Sequence, residues 1–379
     1  MIRAVFKNKL LLAIAGLAIL VPGTVFLLRS AHITVISLDD TVQADIQDPV
    51  PAEFAAASVT PMYMVPMTPV DRVAYDAKML SLAHLSPVQL KAYYATATST
   101  ATTTLKKPLW PVTTAPYPLP GALLPSNRIV AYYGNLESTQ LGVLGRYPIP
   151  EMLDMLASTT AQWTAADPAT PVIPAFDYIA VVAQGSPGPD GKYSLLMSDS
   201  EIERTIRLAV QAHAIVILDL QIGLNTVQDE LPFLKKYFEL PQVHLALDPE
   251  FAMHNGRRPG TVIGTMDASD INYAANYLAQ IVRDYHLPPK MLIVHRFTEQ
   301  MVTHPERIAP LPEVQVVMDM DGFGTPAKKE GTYASVVVPE PTQFTGFKLF
   351  YKNDVAAGHL MTPSEVLRLS PQPSYIQYQ

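Results

Sequence analysis

Acidic residues follow several of the short apolar runs in the second half of the chain. Asp248 and Glu250 come directly after the run at 243–247, and Asp319 and Asp321 close another run. Because successive side chains of a strand point to opposite faces, Asp248 and Glu250 would share one face, as would Asp319 and Asp321. Only 16% of the residues are charged, so this concentration of charge indicates a site at which chemistry takes place.

Further polar residues take the same position after other apolar runs. They are Asp177, Asp219, His295, Arg296, Glu340 and Lys348. Purely structural roles are open as well: an aspartate at the end of a strand often caps the next helix or forms a tight turn. Arg296 could simply neutralise a carboxylate, and Glu340, which stands between two prolines, could be a solvated loop residue.

A ring of carboxyl groups most readily supports the cleavage of a glycosidic bond. That reaction needs one protonated carboxyl group to protonate the leaving oxygen and one carboxylate to act as a nucleophile or to activate water. Neighbouring carboxylates raise one another's pKa, which keeps one of them protonated near neutral pH. Clustered aspartates and glutamates would therefore be able to divide these two roles between them.

The apolar runs that precede these residues predict β-strands. They lie at 129–133, 171–177, 214–220, 243–248, 291–295, 314–319, 333–338 and 347–351. With helical patterns between several of them, eight strand–helix units over residues 127–379 predict an α/β fold, a (β/α)₈ barrel of the TIM type. The alternative, an open doubly wound sheet, would have a glycine-rich turn after its first strand, and the sequence there, Tyr132 to Asn135, is not of that kind.

Three patterns predict where helices lie. Apolar residues between 271 and 282 recur at the spacing of one buried helical face. Ser200 and Glu203 predict a capping box, and Thr362 and Glu365 predict a second box that begins a C-terminal helix.

The N-terminal third has a different character. An uncharged apolar run from Leu10 to Leu28 follows three basic residues and, at about 28 Å, is long enough to cross a bilayer core. It predicts a transmembrane signal anchor over 1–35, although a cleaved signal peptide is the alternative. The positive charges place the N-terminus in the cytoplasm and the rest outside. The chain would then be a single-pass protein of the cell membrane with an extracytoplasmic C-terminal domain.

Residues 36–126 are rich in proline and threonine, which predicts an extended extracytoplasmic stalk. Within this region, residues 86–96 could form a short helix. We expect either that helix or Trp110 to pack on the domain that follows.

The composition excludes several classes of function. The 27 Lys and Arg residues are outnumbered by 34 Asp and Glu residues, for a net charge of −7, so nucleic acid is not an expected partner. The chain has no cysteine, which rules out disulfides, thiolate metal sites and a cysteine nucleophile. The histidines lack the spacing of a zinc motif, and we expect neither a metal nor a cofactor.

Two features resemble known proteins. Glu250 after the fourth predicted strand and Glu340 after the seventh occupy the two positions used by a large group of retaining barrel glycosidases. To that extent residues 127–379 resemble a glycoside-hydrolase barrel, although Pro249 precedes Glu250 where that group usually has asparagine. The stretch at 346–379, GFKLFYKND…MTPSEVLRL…PSYIQYQ, is similar to the C-terminus of uncharacterised bacterial surface proteins.

The hypothesis that the chain is a glycosidase gives each candidate residue a role. Glu250 would be the general acid and Glu340 the nucleophile, and Asp248 would tune the pKa of Glu250. The residues expected to hold or orient the substrate are Asp177, Asp219, Asp319, Asp321, His295, Arg296, Lys348, Tyr132 and Tyr133, the two tyrosines by stacking on a sugar ring.

These predictions favour a membrane-anchored, glycosidase-like barrel that acts on a cell-wall or other surface polysaccharide. The alternative belongs to another class: a barrel without catalysis that binds glycan or serves as a scaffold at the cell surface. The carboxylates distinguish the two, because an enzyme needs an acid pair in reach of substrate.

Overall fold

The computed structural model describes Met67 and residues 69–97, 110–112, 115–340 and 343–379. The predicted membrane anchor and about half of the predicted stalk lie outside this part of the chain. Across the described ranges, no helix combines the length and the apolar character needed to cross a membrane.

Eight parallel strands form a closed barrel, as the sequence predicts. Each strand pairs with the next along the chain, and the first pairs with both the second and the eighth. The strands are β1 (Arg128–Gly134), β2 (Val172–Ala183), β3 (Ile215–Leu220), β4 (Val243–Leu247), β5 (Lys290–Arg296), β6 (Val314–Met320), β7 (Phe344–Leu349) and β8 (Tyr375–Tyr378). Ser194–Leu196 adds an antiparallel strand to the end of β2, and Met266–Asp267 pairs with Val302–Thr303 outside the barrel.

Ten α-helices accompany the strands within the described residues. They are α1 (Arg72–Ala83), α2 (Pro87–Ala97), α3 (Val143–Arg146), α4 (Ile149–Ala166), α5 (Asp199–Gln211), α6 (Val227–Phe238), α7 (Ala268–Tyr285), α8 (Pro326–Thr332), α9 (Asn353–Ala357) and α10 (Pro363–Val366). The apolar face predicted for 271–282 is buried in α7. The box at Thr362 and Glu365 is present. The first box lies two residues earlier than predicted, at Ser198 and Glu201.

The last two strands differ from the prediction. The run at 333–338 is not a strand, because α8 continues into a π-helical turn over Tyr333–Val337 that buries Tyr333, Val336 and Val337 on one side. Thr325 and Pro326 start this helix as its cap and first residue. The run predicted as strand eight therefore belongs to β7, and the C-terminal residues supply β8.

Apolar side chains pack in two layers, one between the sheet and the outer helices and one inside the barrel. The inner layer includes Ile129, Ala131, Ala175, Ile217, Ala246, Ile293, Val317 and Phe344. The inward residues are largely small or β-branched, which matches the narrow interior of an eight-stranded barrel. Toward the carboxyl ends of the strands the interior changes to polar residues.

Helix α1 packs against the opposite, N-terminal end of the barrel. Its Met79, Leu82 and Ala83 belong to the same apolar cluster as the inward strand residues, as does Trp110. The backbone N–H of Gln372 donates to the carbonyl of Leu82 at 2.7 Å. The expectation that Trp110 packs on the barrel is confirmed, and α2 lies where residues 86–96 predict a helix. Helix α1 itself was not predicted. Its Tyr75, Met79, Leu82 and Ala83 recur at the spacing of one helical face, but they lie in the segment that the proline and threonine content predicts as an extended stalk.

We expect Leu82→Ala to lower the free energy of unfolding by about 2–4 kcal/mol, because the leucine is 3% exposed and its removal leaves a cavity. Urea unfolding of the full chain measures this loss. Val73→Ala on the same helix is the control, since Val73 is 81% exposed, and it should change stability by less than about 0.5 kcal/mol. Equal midpoints for the two variants would show that α1 does not belong to the folded barrel.

Candidate functional site

The carboxyl ends of the strands bring together most of the predicted residues. In each strand the residue two positions beyond an inward apolar side chain also points inward, which places Tyr133, Asp177, Asp219, His295 and Asp319 inside the barrel. Tyr133 lies opposite Asp177 in the register of β1 and β2, and His295 lies opposite Asp319 in that of β5 and β6. We call this group, with Asp248, Glu250, Asp321 and Lys348, the barrel mouth.

His295 is the centre of the barrel mouth. Its Nδ1 lies 3.1 Å from Asp319 Oδ2 and 3.7 Å from Asp321 Oδ2, and its Nε2 lies 3.6 Å from Asp219 Oδ2. Burial alone would lower the pKa of His295, but the carboxylates of Asp219 and Asp319 outweigh it and raise the pKa well above its ordinary value. His295 is therefore a buried imidazolium at neutral pH.

Lys348 is the second cation of the barrel mouth. Its Nζ donates to Asp321 Oδ2 at 3.1 Å and lies 3.9 Å from the centre of the Tyr133 ring. Burial opposes the charge, but Asp321 and Asp248 raise the pKa of Lys348 above its ordinary value. The Lys348 ammonium therefore covers a face of the Tyr133 ring, which we expected to stack on a sugar.

Asp177 is held by two residues of β8. The Tyr375 hydroxyl donates to Asp177 Oδ2 at 2.5 Å, and Gln377 Nε2 donates to the same oxygen at 2.7 Å. Burial, followed by the charge of Asp219, raises the pKa of Asp177 to about 7. Tyr375 and Gln377 were not predicted as site residues because the strand that carries them, β8, was not predicted. The alternation of apolar and polar residues from Ile376 to Gln379 was the available signal.

Gly346 makes room for this arrangement. It is an inward-facing residue of β7, and a Cβ added there would lie 2.5 Å from Asp319 Oδ1 and 2.9 Å from Tyr375 Cδ1. Any side chain at this position would push Asp319 away from His295. A glycine in the middle of a strand here reflects close packing of neighbouring side chains.

Asp248 and Glu250 lie at the end of β4, but not on the strand together. A 3₁₀ turn over Pro249–Phe251 begins at Asp248, whose Oδ1 accepts the backbone N–H of Glu250 at 3.2 Å. Burial and then the charge of Asp219 raise the pKa of Asp248 well above its ordinary value. Burial and then the charge of Asp321 raise the pKa of Glu250 to about 7. Glu250 remains partly exposed, so its carboxyl group is within reach of solvent.

Arg296, Glu340 and Tyr132 lie outside the barrel mouth, contrary to expectation. Arg296 follows the inward His295 and so points outward, where it donates to the carbonyl of Glu299 and forms an ion pair with Glu340. Glu340 follows a helical turn rather than a strand. Tyr132 precedes the inward Tyr133 and also points outward. Strand alternation therefore separates these residues from the site.

The contacts of Tyr132 account for its position. Its hydroxyl bonds Thr159 Oγ1 at 2.8 Å and the Tyr351 hydroxyl at 3.1 Å beneath the outer helices. It is fully buried, so it has no face on which a sugar ring could stack.

The barrel mouth carries more acid than base. Six carboxyl groups, those of Asp177, Asp219, Asp248, Glu250, Asp319 and Asp321, surround the two cations His295 and Lys348. Burial is the main cause that raises the pKa of four of these groups, Asp177, Asp248, Glu250 and Asp319. The described residues contain no group of three or more His, Cys, Asp or Glu side chains placed to hold a metal ion. What the arrangement is equipped to do is donate and accept protons.

We expect Asp177→Asn to flatten the pH dependence of stability. The folded pKa of about 7 lies above that of an unfolded aspartate, about 3.9, so the folded state binds the extra proton between these values. The free energy of unfolding of the wild type should therefore fall as pH rises from 4 to 7. Over the same range, that of the variant should fall by about 1–3 kcal/mol less. Denaturant titrations at several pH values measure the slopes.

Asparagine keeps an oxygen that can accept from Tyr375 and Gln377. The variant therefore removes the titration of Asp177 and keeps these two hydrogen bonds. Asp190→Asn, at an exposed loop position, is the control and should leave the slope unchanged. A slope for Asp177→Asn equal to that of the wild type would contradict the raised pKa.

Comparison with known proteins assigns no family. No family model matches the chain, and no curated protein matches it. Among solved structures it is similar to Plasmodium falciparum HPPK-DHPS with pteroate, at 7% identity and a TM-score of 0.33, over 69% of this chain and 46% of that one. It is also similar to oxaloacetate acetylhydrolase with 3,3-difluorooxalacetate, at 9% identity and a TM-score of 0.26, over 67% of this chain and 75% of that one. Function must therefore be argued from the barrel mouth itself.

Proposed function

We propose that the barrel mouth cleaves glycosidic bonds, with Glu250 as the general acid and Asp321 as the partner carboxylate. The observation that carries this proposal is the contrast between the two side chains. Glu250 is a partly exposed carboxyl group whose pKa is raised to about 7. Asp321 is paired with Lys348 and lies close to His295. Two carboxyl groups in opposite electrostatic surroundings are the requirement for acid–base cleavage of a glycoside.

Glu250 would donate its proton to the leaving oxygen as the bond between that oxygen and the anomeric carbon breaks. A pKa near 7 keeps much of the group protonated at neutral pH, and the charge of Asp321 contributes to that value. Asp248 acts on Glu250 by accepting its backbone N–H. This makes Asp248 a positioning residue rather than a second acid.

Asp321 would supply the carboxylate, in place of Glu340. Its Oδ2 accepts a hydrogen bond from Lys348 Nζ at 3.1 Å. It would either attack the anomeric carbon or take a proton from the attacking water. Glu340 is unsuited to this role because its carboxylate is bound to Arg296 on the outer side of the sheet.

The proposed substrate is a polysaccharide of the cell wall or cell surface. The apolar run from Leu10 to Leu28 supports this location, because a membrane anchor would hold the barrel outside the cell. The excess of carboxyl groups disfavours a polyanionic substrate such as nucleic acid.

A non-catalytic, glycan-binding or scaffolding barrel is the second candidate. The burial of Asp177, Asp219, His295 and Asp319, each with no exposed surface, favours it. In that case the polar interior would serve mainly to bind a ligand at its rim or to fix the fold. The two candidates differ in whether any glycan is hydrolysed.

Glu250→Gln should lower kcat/KM for hydrolysis of unactivated glycans by about 10²–10⁴-fold, since a general acid contributes that factor. Release of reducing ends from a panel of surface polysaccharides by the full chain measures the rate. An aryl glycoside with a strongly acidic leaving group needs no proton donor, so the variant should cleave it at a near wild-type rate. Asp321→Asn should lose activity on both kinds of substrate.

Glu340→Gln is the matched control, because Glu340 lies outside the barrel mouth, and its activity should stay within about twofold of wild type. Wild-type activity that survives Glu250→Gln on unactivated glycans would overturn the assignment of Glu250. A wild-type chain that binds glycan but hydrolyses none would establish the second candidate.

A further inference from the structure

A small cavity lies at the N-terminal end of the barrel, opposite the barrel mouth. The centre of a water-sized sphere can occupy about 10 Å³ of it, which is room for about one water molecule. Two of the residues that line it, Gln242 and His244, belong to β4 and to the position just before that strand. They share the inward face of the strand with Ala246. We call this space the base cavity.

Gln242 and His244 bring three unpaired polar atoms to the base cavity. Each of the two residues is only 1% exposed. Within the described ranges, Gln242 Oε1, Gln242 Nε2 and His244 Nε2 have no hydrogen-bond partner. Burial of a polar group without a partner is costly, because the group loses its hydrogen bonds to water and gains none in exchange. These three atoms therefore call for a partner within the cavity that they line.

The other walls of the base cavity offer few hydrogen-bonding groups. They are formed by Gly121, Leu123, Ile215, Pro241, Pro288 and Pro289. None of these residues has a polar side chain, and the three prolines have no backbone N–H to donate. The backbone N–H of Leu123 already donates to Gln315 Oε1 at 3.0 Å. A donor for Gln242 Oε1 is therefore more readily supplied by a bound molecule than by these walls.

Gln315 shows how the protein itself satisfies a buried glutamine at this end of the barrel. Its Oε1 accepts the backbone N–H groups of Leu123 and Leu124 at 3.0 and 3.1 Å, and its Nε2 donates to the carbonyl of Leu124 at 2.7 Å. The same segment presents Gly121 to the base cavity, and a Cβ added to Gly121 would lie 2.9 Å from Pro288 Cβ. The segment that pairs with Gln315 therefore leaves Gln242 to another partner.

The hydrogen-bonding character of the three atoms identifies that partner. His244 Nδ1 accepts the backbone N–H of Met291 at 3.0 Å, and burial and then Lys290 lower the pKa of His244 well below its ordinary value. The imidazole is therefore neutral and carries its proton on Nε2, which is a donor. Gln242 Nε2 is a second donor, whereas Gln242 Oε1 is an acceptor. A molecule that both accepts and donates fits this set, and a metal or ammonium ion, which cannot accept, does not.

We propose that the base cavity binds one water molecule, which bridges the side chains of Gln242 and His244. Residues two positions apart on a strand are about 6.6–6.8 Å from each other, so two side chains that stand in parallel there need a molecule to connect them. The water accepts from His244 Nε2 and Gln242 Nε2 and donates to Gln242 Oε1. Three such partners are typical of a buried water. The site lies at the opposite end of the barrel from the proposed reaction and does not depend on it.

The test is NMR of the full chain in detergent with isotope-labelled histidine, which detects transfer of magnetisation from water to the His244 ring. The proton should be found on Nε2 and should receive magnetisation with opposite signs in NOE and ROE experiments, as a long-lived bound water produces. Gln242→Met keeps the length of the side chain but removes its amide, so this transfer should be lost. Gln211→Met is the matched control at an exposed position and should leave the transfer unchanged.

Three results would overturn the inference. The first is a His244 proton on Nδ1. The second is an Nε2 proton that receives nothing from water, or that receives magnetisation with equal signs in the two experiments, which indicates chemical exchange with the solvent. The third is the same transfer in Gln242→Met as in the wild type. If Gln242→Met fails to fold, the wild-type spectrum still decides, because the first two results need no variant.

Discussion

The positive charge on His295 is the interaction on which the barrel mouth depends. The imidazolium lies between Asp219 and Asp319 in the middle of the barrel, with Asp321 slightly farther away, and none of these groups except Asp321 has exposed surface. Removing one partner of a buried ion pair costs about 3–5 kcal/mol, because the remaining charge stays buried. Without His295, the carboxyl groups of Asp219, Asp319 and Asp321 would lose the cation that lies among them.

The same charge divides the acids into two kinds. Asp321 lies between His295 and Lys348, whereas Glu250 at the outer edge is affected mainly by burial and by the negative charge of Asp321. Opposite surroundings for two carboxyl groups at one opening are what acid–base chemistry requires. The proposed reaction depends on this difference between the two carboxyl groups.

The sequence predicts the barrel and the inward-facing acids because both follow from local patterns. Runs of β-branched residues located β1 to β6, and the polar residues at their ends led to Asp177, Asp219, His295 and Asp319. The prediction of site residues was wrong where it did not apply the alternation of side chains along a strand. Tyr132 and Arg296 are neighbours of inward residues and so point outward. Glu340 was misplaced because a valine-rich run, typical of a strand, forms a π-helical turn after Thr325 and Pro326 start a helix.

Other parts of the site and fold depend on contacts that no local pattern reveals. The hydrogen bonds of Tyr375 and Gln377 to Asp177 link residues about 200 positions apart, and β8 is only four residues long. Helix α1 packs on the barrel through residues of its last turn, at contacts with the C-terminal segment. Such long-range contacts decide which polar residue meets which, and they are set by barrel closure.

The most direct test of this account is the protonation state of His295, measured by NMR of the chain with isotope-labelled histidine. The account predicts that His295 is a protonated imidazolium at pH 7, because Asp219 and Asp319 raise its pKa well above the ordinary value. His244 provides a contrast within the same barrel. It is buried, accepts the backbone N–H of Met291 at 3.0 Å, and has a pKa lowered well below the ordinary value by burial and by Lys290, so it should be neutral at the same pH. A neutral His295 at pH 7 would contradict the account, because the barrel mouth would then lack the charge around which its carboxylates are arranged.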